Sequence, residues 1–190
     1  MSSSKRIGND GEKKVADILS RLPSSNFKLY NNVMLKTKSG TTQIDHILVT
    51  DRGIFIIETK AIKGMIFGDA HSKYWTQCLY GKGKSIMKHS FYNPYWQNRG
   101  HIKNVIYHLK TTWVCGVVCF TSDNVDLSHV DCSCITKLNC LYNVICRIYQ
   151  NSPPADYNLY EMCKRLESVN IQSIYYDRKH VNYVKSLSER

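Results

Sequence analysis

Asp45, Glu58 and Lys60 carry charge in two short apolar runs, residues 43–49 (QIDHILV) and 54–60 (IFIIETK). Thr50-Asp51-Arg52-Gly53 between them reads as a tight turn, and two β-rich runs joined by such a turn make a hairpin. Centring the turn on Asp51-Arg52 sets Thr50 against Gly53, Ile47 against Ile56 and Asp45 against Glu58. Carboxylates facing each other across neighbouring strands repel unless something neutralises them. Lys60 lies two residues beyond Glu58 and so projects from the same face. A divalent cation is the natural neutraliser: magnesium takes one or two protein carboxylates and completes its shell with water. An ordinary ion pair at a strand end would use the same residues. The apolar flanks tip the balance, because a hairpin apolar on both faces is buried on two sides, and charges there must be paired or bind a metal.

Other elements must position this hairpin. Gly8-Asn9-Asp10-Gly11-Glu12 opens a helix to about Leu22, with Asn9 or Asp10 as its cap. Val15, Ile18, Leu19 and Leu22 keep helical spacing, and Glu12 falls on their face. A strand is expected between Phe27 and Leu35, and a turn at Lys36–Gly40. After Lys60, a bent strand spans residues 62–68 and another residues 73–77. Asn93-Pro94 is a helix start, with Asn as cap and Pro in the first turn. That helix runs to about Leu109 on an apolar stripe of Ile102, Val105, Ile106 and Leu109. Gln97 and His101 sit one turn apart on a neighbouring stripe. Trp113–Phe120 is a buried strand and Cys134–Thr136 a shorter one. Helices follow at Leu138–Tyr149 and Tyr157–Ser168. From Asn170 the pattern weakens, and Lys179–Arg190 reads equally as a short basic helix or a frayed tail. With no repeat and no long linker, the order α-β-β-β-(β)-α-β-β-α-α describes a single mixed α/β domain.

The 190 residues suffice for one domain with a substantial core, and 43% apolar content marks a globular chain. No apolar run is long enough to cross a membrane, and no secretory signal follows Met1, so no membrane association and a cytoplasmic location are the defaults. The formal charge of +11, from 26 basic and 15 acidic residues, suits a polyanionic partner without choosing among DNA, RNA and anionic lipid. Eight cysteines lack paired C-x-x-C modules. Free thiols are favoured over zinc, and zinc over disulfides.

Taken in order, these motifs resemble the PD-(D/E)xK nuclease superfamily and, within it, the nuclease-related domain known as NERD. Gly8-Asn9-Asp10-Gly11-Glu12 looks like that family's helix opening. Gln43-Ile44-Asp45-His46 with Glu58-Thr59-Lys60 looks like its metal-binding core. Trp75, Asn93-Pro94-Tyr95-Trp96-Gln97 and His101 look like its Asn-Pro-x-x-Gln helix. The superfamily's namesake proline is replaced by Ile44. The resemblance implies a restriction-endonuclease-like mixed β-sheet flanked by helices. Residues 1–150 would form the nuclease core and 151–190 a C-terminal helical extension of the same domain. It further implies Mg2+, with Mn2+ substituting, held by Asp45, Glu58 and the Thr59 carbonyl. Lys60 would orient water or stabilise charge on the phosphate, and Glu12 and Gln97 would assist.

The chemistry that fits is phosphodiester hydrolysis by a metal-dependent endonuclease acting on DNA, with RNA left open. A homodimer would suit the cutting of both strands of a duplex. The alternative is a catalytically inactive nucleic-acid-binding or scaffold module that keeps the fold. Lys82, Lys84 and Lys88 read as a basic loop for phosphates or simply a solvated one. Tyr95 is a candidate for base stacking, His101 for nucleic-acid contact or site support. Trp75 is expected in the core, and His46 is expected to serve a structural role on the face opposite Asp45.

Overall fold

The structure, a computed structural model, describes residues 3–23, 25–81 and 85–171. Helix α1 spans Ser3–Leu19. It begins before Asn9 and Asp10, so neither is its cap. No proline interrupts the residues upstream, and Gly8 weakens a helix without breaking it.

Three antiparallel strands follow: β1 Phe27–Thr37, β2 Gly40–Thr50 and β3 Gly53–Lys60. The β2–β3 register pairs Thr50 with Gly53 and Ile47 with Ile56, as the turn arithmetic requires, and the ladder ends at His46 and Ile57. Along β1 the pairing steps from Asn31–His46 to Val33–Ile44. The skipped residue, Asn32, has φ of 55°. Asn tolerates this left-handed conformation better than most residues, and the distortion falls on the strand beside Asp45.

Next come β4 Gly64–Asp69, β5 Tyr74–Tyr80 and β6 Ile86–Tyr92, then helix α2 Pro94–Leu109. Strands β7 Val114–Phe120, β8 Val125–Asp131 and β9 Ile135–Lys137 precede a 3-10 turn at Leu138–Cys140, α3 Leu141–Asn151 and α4 Leu159–Val169. Two of these strands escape the pattern reading. Strand β6 is exposed along nearly its whole length, so no apolar periodicity marks it. Strand β8 pairs with β4 through a register shift between Met65 and Phe67, which interrupts its alternation.

The strands form two mixed sheets, β1-β2-β3-β7-β9 and β6-β5-β4-β8. All four helices pack against the first. One of its faces meets α2 and α4 through Val105, Leu109, Met162 and Leu166. The other meets α1 and α3 through Val15, Leu19, Leu141 and Ile145. Strand β3 serves both, with Ile54 and Ile56 in the first cluster and Phe55 and Ile57 in the second. A strand covered on two sides reads as a continuous apolar run. A third cluster, holding Trp75, Ile66, Val118 and Phe120, fills the space between the sheets. Trp75 is a core residue, as expected. Its indole N–H donates to the Asp69 carbonyl at 2.9 Å.

Candidate active site

Asp45 and Glu58 lie one residue past the last rung of the β2–β3 ladder, His46–Ile57, and do not themselves form the rung that the turn arithmetic expected. The Thr59 N–H donates to Asp45 Oδ2 at 2.8 Å, tying the two strand ends together. Lys60 Nζ donates to Glu58 Oε1 at 2.6 Å and to Gln97 Oε1 at 2.9 Å. Glu58 is buried and Lys60 is 19% exposed, so the amine stands at the opening of the cluster. His101 brings Nε2 within 3.3 Å of Glu58 Oε2, and its Nδ1 lies 3.2 Å from Thr42 Oγ1. The Nε2 approach has ion-pair distance without hydrogen-bond alignment.

Helix α2 delivers Gln97 and His101 because its start is anchored. Asn93 Oδ1 accepts from the N–H groups of Tyr95 and Trp96, and its Nδ2 donates to the carbonyls of Asp69 and Ser72. The cap thus also pins α2 to the β4–β5 connection. One turn later, buried Asn98 donates to the Ile56 and Val117 carbonyls. Gln97 and His101, four residues apart, then share the stripe that faces the carboxylates. Glu12 arrives from α1 on the opposite face of the sheet. A close approach brings it there: a Cβ on Gly11 would lie 2.7 Å from Thr121 Oγ1.

The electrostatics follow from this crowding. Burial raises the Asp45 carboxyl to about 7, with the Glu58 charge adding to it; the Thr59 N–H, and Lys60 more weakly, oppose the rise. Burial alone would raise Glu58 too, but the His101 ring and Lys60 outweigh it and hold that carboxyl below its usual range. Glu12 is raised by burial and by the Glu58 charge. Burial lowers His46 to about 4, against the pull of Glu58.

The donor set fits a hard cation. Asp45 and Glu58 offer oxygen only, which suits magnesium with its few protein ligands. Among the described residues, no group of three or more His, Cys, Asp or Glu side chains is placed to hold a metal, so any ion here would rest on the two carboxylates, backbone oxygen and water. All eight cysteines are free thiols.

Sequence-predicted residues divide clearly. The structure brings Asp45, Glu58, Lys60 and Gln97 together, with Glu12 within electrostatic reach. Thr59 touches Asp45 through its N–H, while its hydroxyl is buried without a partner. His101 is buried at the back of Glu58, a position that supports the carboxylate and leaves no surface for a nucleic acid. Lys88 is exposed on β6, paired with Cys78. It stands in a strand, not a loop. Lys82 and Lys84 lie outside the described residues, as does Lys179–Arg190. Tyr95 turns away from Gln97 and lines a cavity of about 570 Å³ with Arg99, whose guanidinium lies 5.7 Å from its ring. His46 is structural only in part: Nδ1 lies 2.7 Å from Asn31 Oδ1, but Nε2 is buried without a partner. Thr42 was missed by sequence reasoning, since a lone threonine early in a strand carries no signal of its own.

A buried Glu58, a half-buried Asp45 and a lysine at the end of a hairpin, in a sheet clad by helices on both faces, define a nuclease-like α/β fold. The chain belongs to the nuclease-related domain family, NERD, whose model matches residues 7–121. It is also similar to an uncharacterized protein of Bacillus anthracis, 30% identical over 181 residues, a match that spans 93% of this chain and 83% of that protein. No solved structure matches. None of the helices among the described residues is long and apolar enough to cross a membrane.

Proposed function

We propose that this nuclease-related chain is a metal-dependent endonuclease hydrolysing phosphodiester bonds of DNA. The observation that carries the reading is the convergence of Asp45, Glu58 and Lys60, from two strands, with Gln97 from a helix. Asp45 and Glu58 would hold magnesium, or manganese in its place, with the Thr59 carbonyl as a third oxygen. A bound ion of this kind lowers the pKa of water and polarises a phosphoryl oxygen. Gln97 accepts from the Lys60 ammonium and aims it. The ammonium then sits where it can stabilise charge developing on the phosphate. Glu12, whose carboxyl is raised by burial and by the Glu58 charge, would assist from α1.

The competing reading, a nucleic-acid-binding module without catalysis, draws on the Lys60–Glu58 ion pair, which already engages one ligand oxygen. A cleavage assay on supercoiled, linear and single-stranded DNA, with and without chelator, separates the two. Metal-dependent cutting that disappears in Asp45→Ala and Lys60→Ala is the expected result. Cutting that survives Asp45→Ala in a pure preparation would overturn the proposal. Calorimetry showing no site-specific magnesium or manganese uptake would favour the binding module.

A further inference from the structure

The second sheet has a face that the reaction does not use. Cross-strand pairs set Tyr74 against Tyr92, Tyr80 against Ile86 and Phe67 against Thr76. Tyr74, Thr76 and Tyr80 share a parity along β5, so all of these side chains project from one face. It is the face opposite Trp75 and Phe91, which pack inward. Tyr74 is 56% exposed, Tyr80 70% and Tyr92 44%. Exposed apolar groups scattered singly need no explanation, but a contiguous group marks an interaction surface.

Charge and ring geometry choose the partner. Phe67 stacks on His129 with centroids 4.5 Å apart and planes at 10°, leaving a flat aromatic step. Tyr74 meets Tyr92 edge-on at 6.2 Å, and Lys73 Nζ lies 5.4 Å from the Tyr74 ring. Lys88 projects from the same face as Cys78 and Thr76. Neither lysine forms an ion pair among the described residues. Acidic groups gather toward the far strand: Asp126 and Asp131 of β8, and Asp69 at the end of β4, which pairs with Asp131 and accepts from the Ser72 N–H and hydroxyl. The basic, aromatic part is therefore β5–β6. A second copy of this face would set lysine against lysine. A polyanion with flat, stackable bases meets both the cations and the rings. In a duplex those bases are already stacked on one another, so exposed rings favour a single strand.

The geometry points to the open face of β5-β6 as a single-stranded DNA platform, on which Tyr74, Tyr80 and Tyr92 stack bases while Lys73 and Lys88 meet phosphates. This rests on the nucleic-acid reading above but not on catalysis, because the platform and the Asp45 cluster occupy different sheets.

Binding is measured by fluorescence anisotropy in chelator, with a labelled oligothymidylate and a duplex of equal length, in the full chain carrying Asp45→Asn. Tyr74→Ala with Tyr92→Ala should weaken single-strand binding roughly tenfold or more, while Tyr74→Phe with Tyr92→Phe restores it. Lys88→Gln should flatten the salt dependence by about 0.7 in log–log slope. Unchanged single-strand affinity in a folded double-alanine variant would overturn the platform. So would sedimentation showing that the same variant converts a dimer to monomer, which would make the face a self-association surface. Tighter binding of oligouridylate would overturn the assignment to DNA. Failure of metal-dependent cleavage alongside intact, aromatic-dependent binding would sink the nuclease reading alone.

Discussion

The Thr59 N–H donates to Asp45 Oδ2 at 2.8 Å. The residue between Glu58 and Lys60 thus bridges the acid on the neighbouring strand, and two carboxylates are held together although burial and mutual repulsion push them apart. Lys60 is the lysine paired with this acid cluster, and the balance of charge there governs how it responds to substitution, pH and metal.

Asp45→Asn should inactivate the chain yet stabilise it in metal-free solution above neutral pH. Asp45 holds its proton to about 7 in the folded state against an ordinary value of 3.8. Between those values the folded state binds more protons, so stability falls as pH rises through the window and stays reduced above it. Each unit of such a shift corresponds to about 1.4 kcal/mol, so the gain on removing the charge is expected to be a few kcal/mol. Urea unfolding of wild type and variant at pH 8 checks it.

His46 works in the opposite direction. Its folded value of about 4 lies below the ordinary 6.5, so the unfolded state binds more protons between them. Stability therefore rises with pH across that window and is lost as pH falls through it. In the wild type this slope and that of Asp45 largely cancel between pH 4 and 6.5. A pH series of thermal melts on Asp45→Asn should uncover a positive slope that the wild type masks; a flat profile in the variant would refute the assignment.

Magnesium should raise the melting temperature of the wild type and not of Asp45→Asn. Ligand that binds only the folded state stabilises by about 2.7 kcal/mol at a hundredfold excess over its Kd. A bound cation would also offset the burial and the Glu58 charge that lift Asp45. Equal shifts in both proteins would place any metal elsewhere.

Lys60→Met is expected to lower kcat by roughly a hundredfold or more, the scale for losing one preorganised electrostatic group, and also to destabilise the fold, because it leaves the buried Glu58 carboxylate without its amine. Gln97→Ala should lose less, because it removes only one of the amine's two partners. In a double-mutant cycle the two losses should fall short of additive.

Gly11→Ala should destabilise by about 1–3 kcal/mol, because its Cβ would lie 2.7 Å from Thr121 Oγ1. Thr121→Ala should recover most of that loss in chemical unfolding. Activity should follow stability here, since Gly11 sets how closely α1 brings Glu12 to the sheet.

How much of this was legible depended on range. The β2–β3 register came from a two-residue turn and simple counting, and the Asn93-Pro94 start of α2 from local capping chemistry. Strand β6 was illegible because it is exposed on both sides and carries no apolar period. Strand β8 was illegible because its bulge breaks the period it has. His101 was readable as a neighbour of Gln97 but not as a buried partner of Glu58, since burial belongs to the packing of a helix on a sheet.

The chain's own order of residues determined the acid–acid–lysine hairpin, the capped helix and the family they place it in. Those features rest on interactions a few residues apart, where backbone geometry leaves few choices. Tertiary structure decided which helix face reaches the carboxylates and which strands split off as a second sheet. It also set the protonation of Asp45 near neutrality. Each of these depends on groups brought together from distant parts of the chain, and on the water their packing excludes.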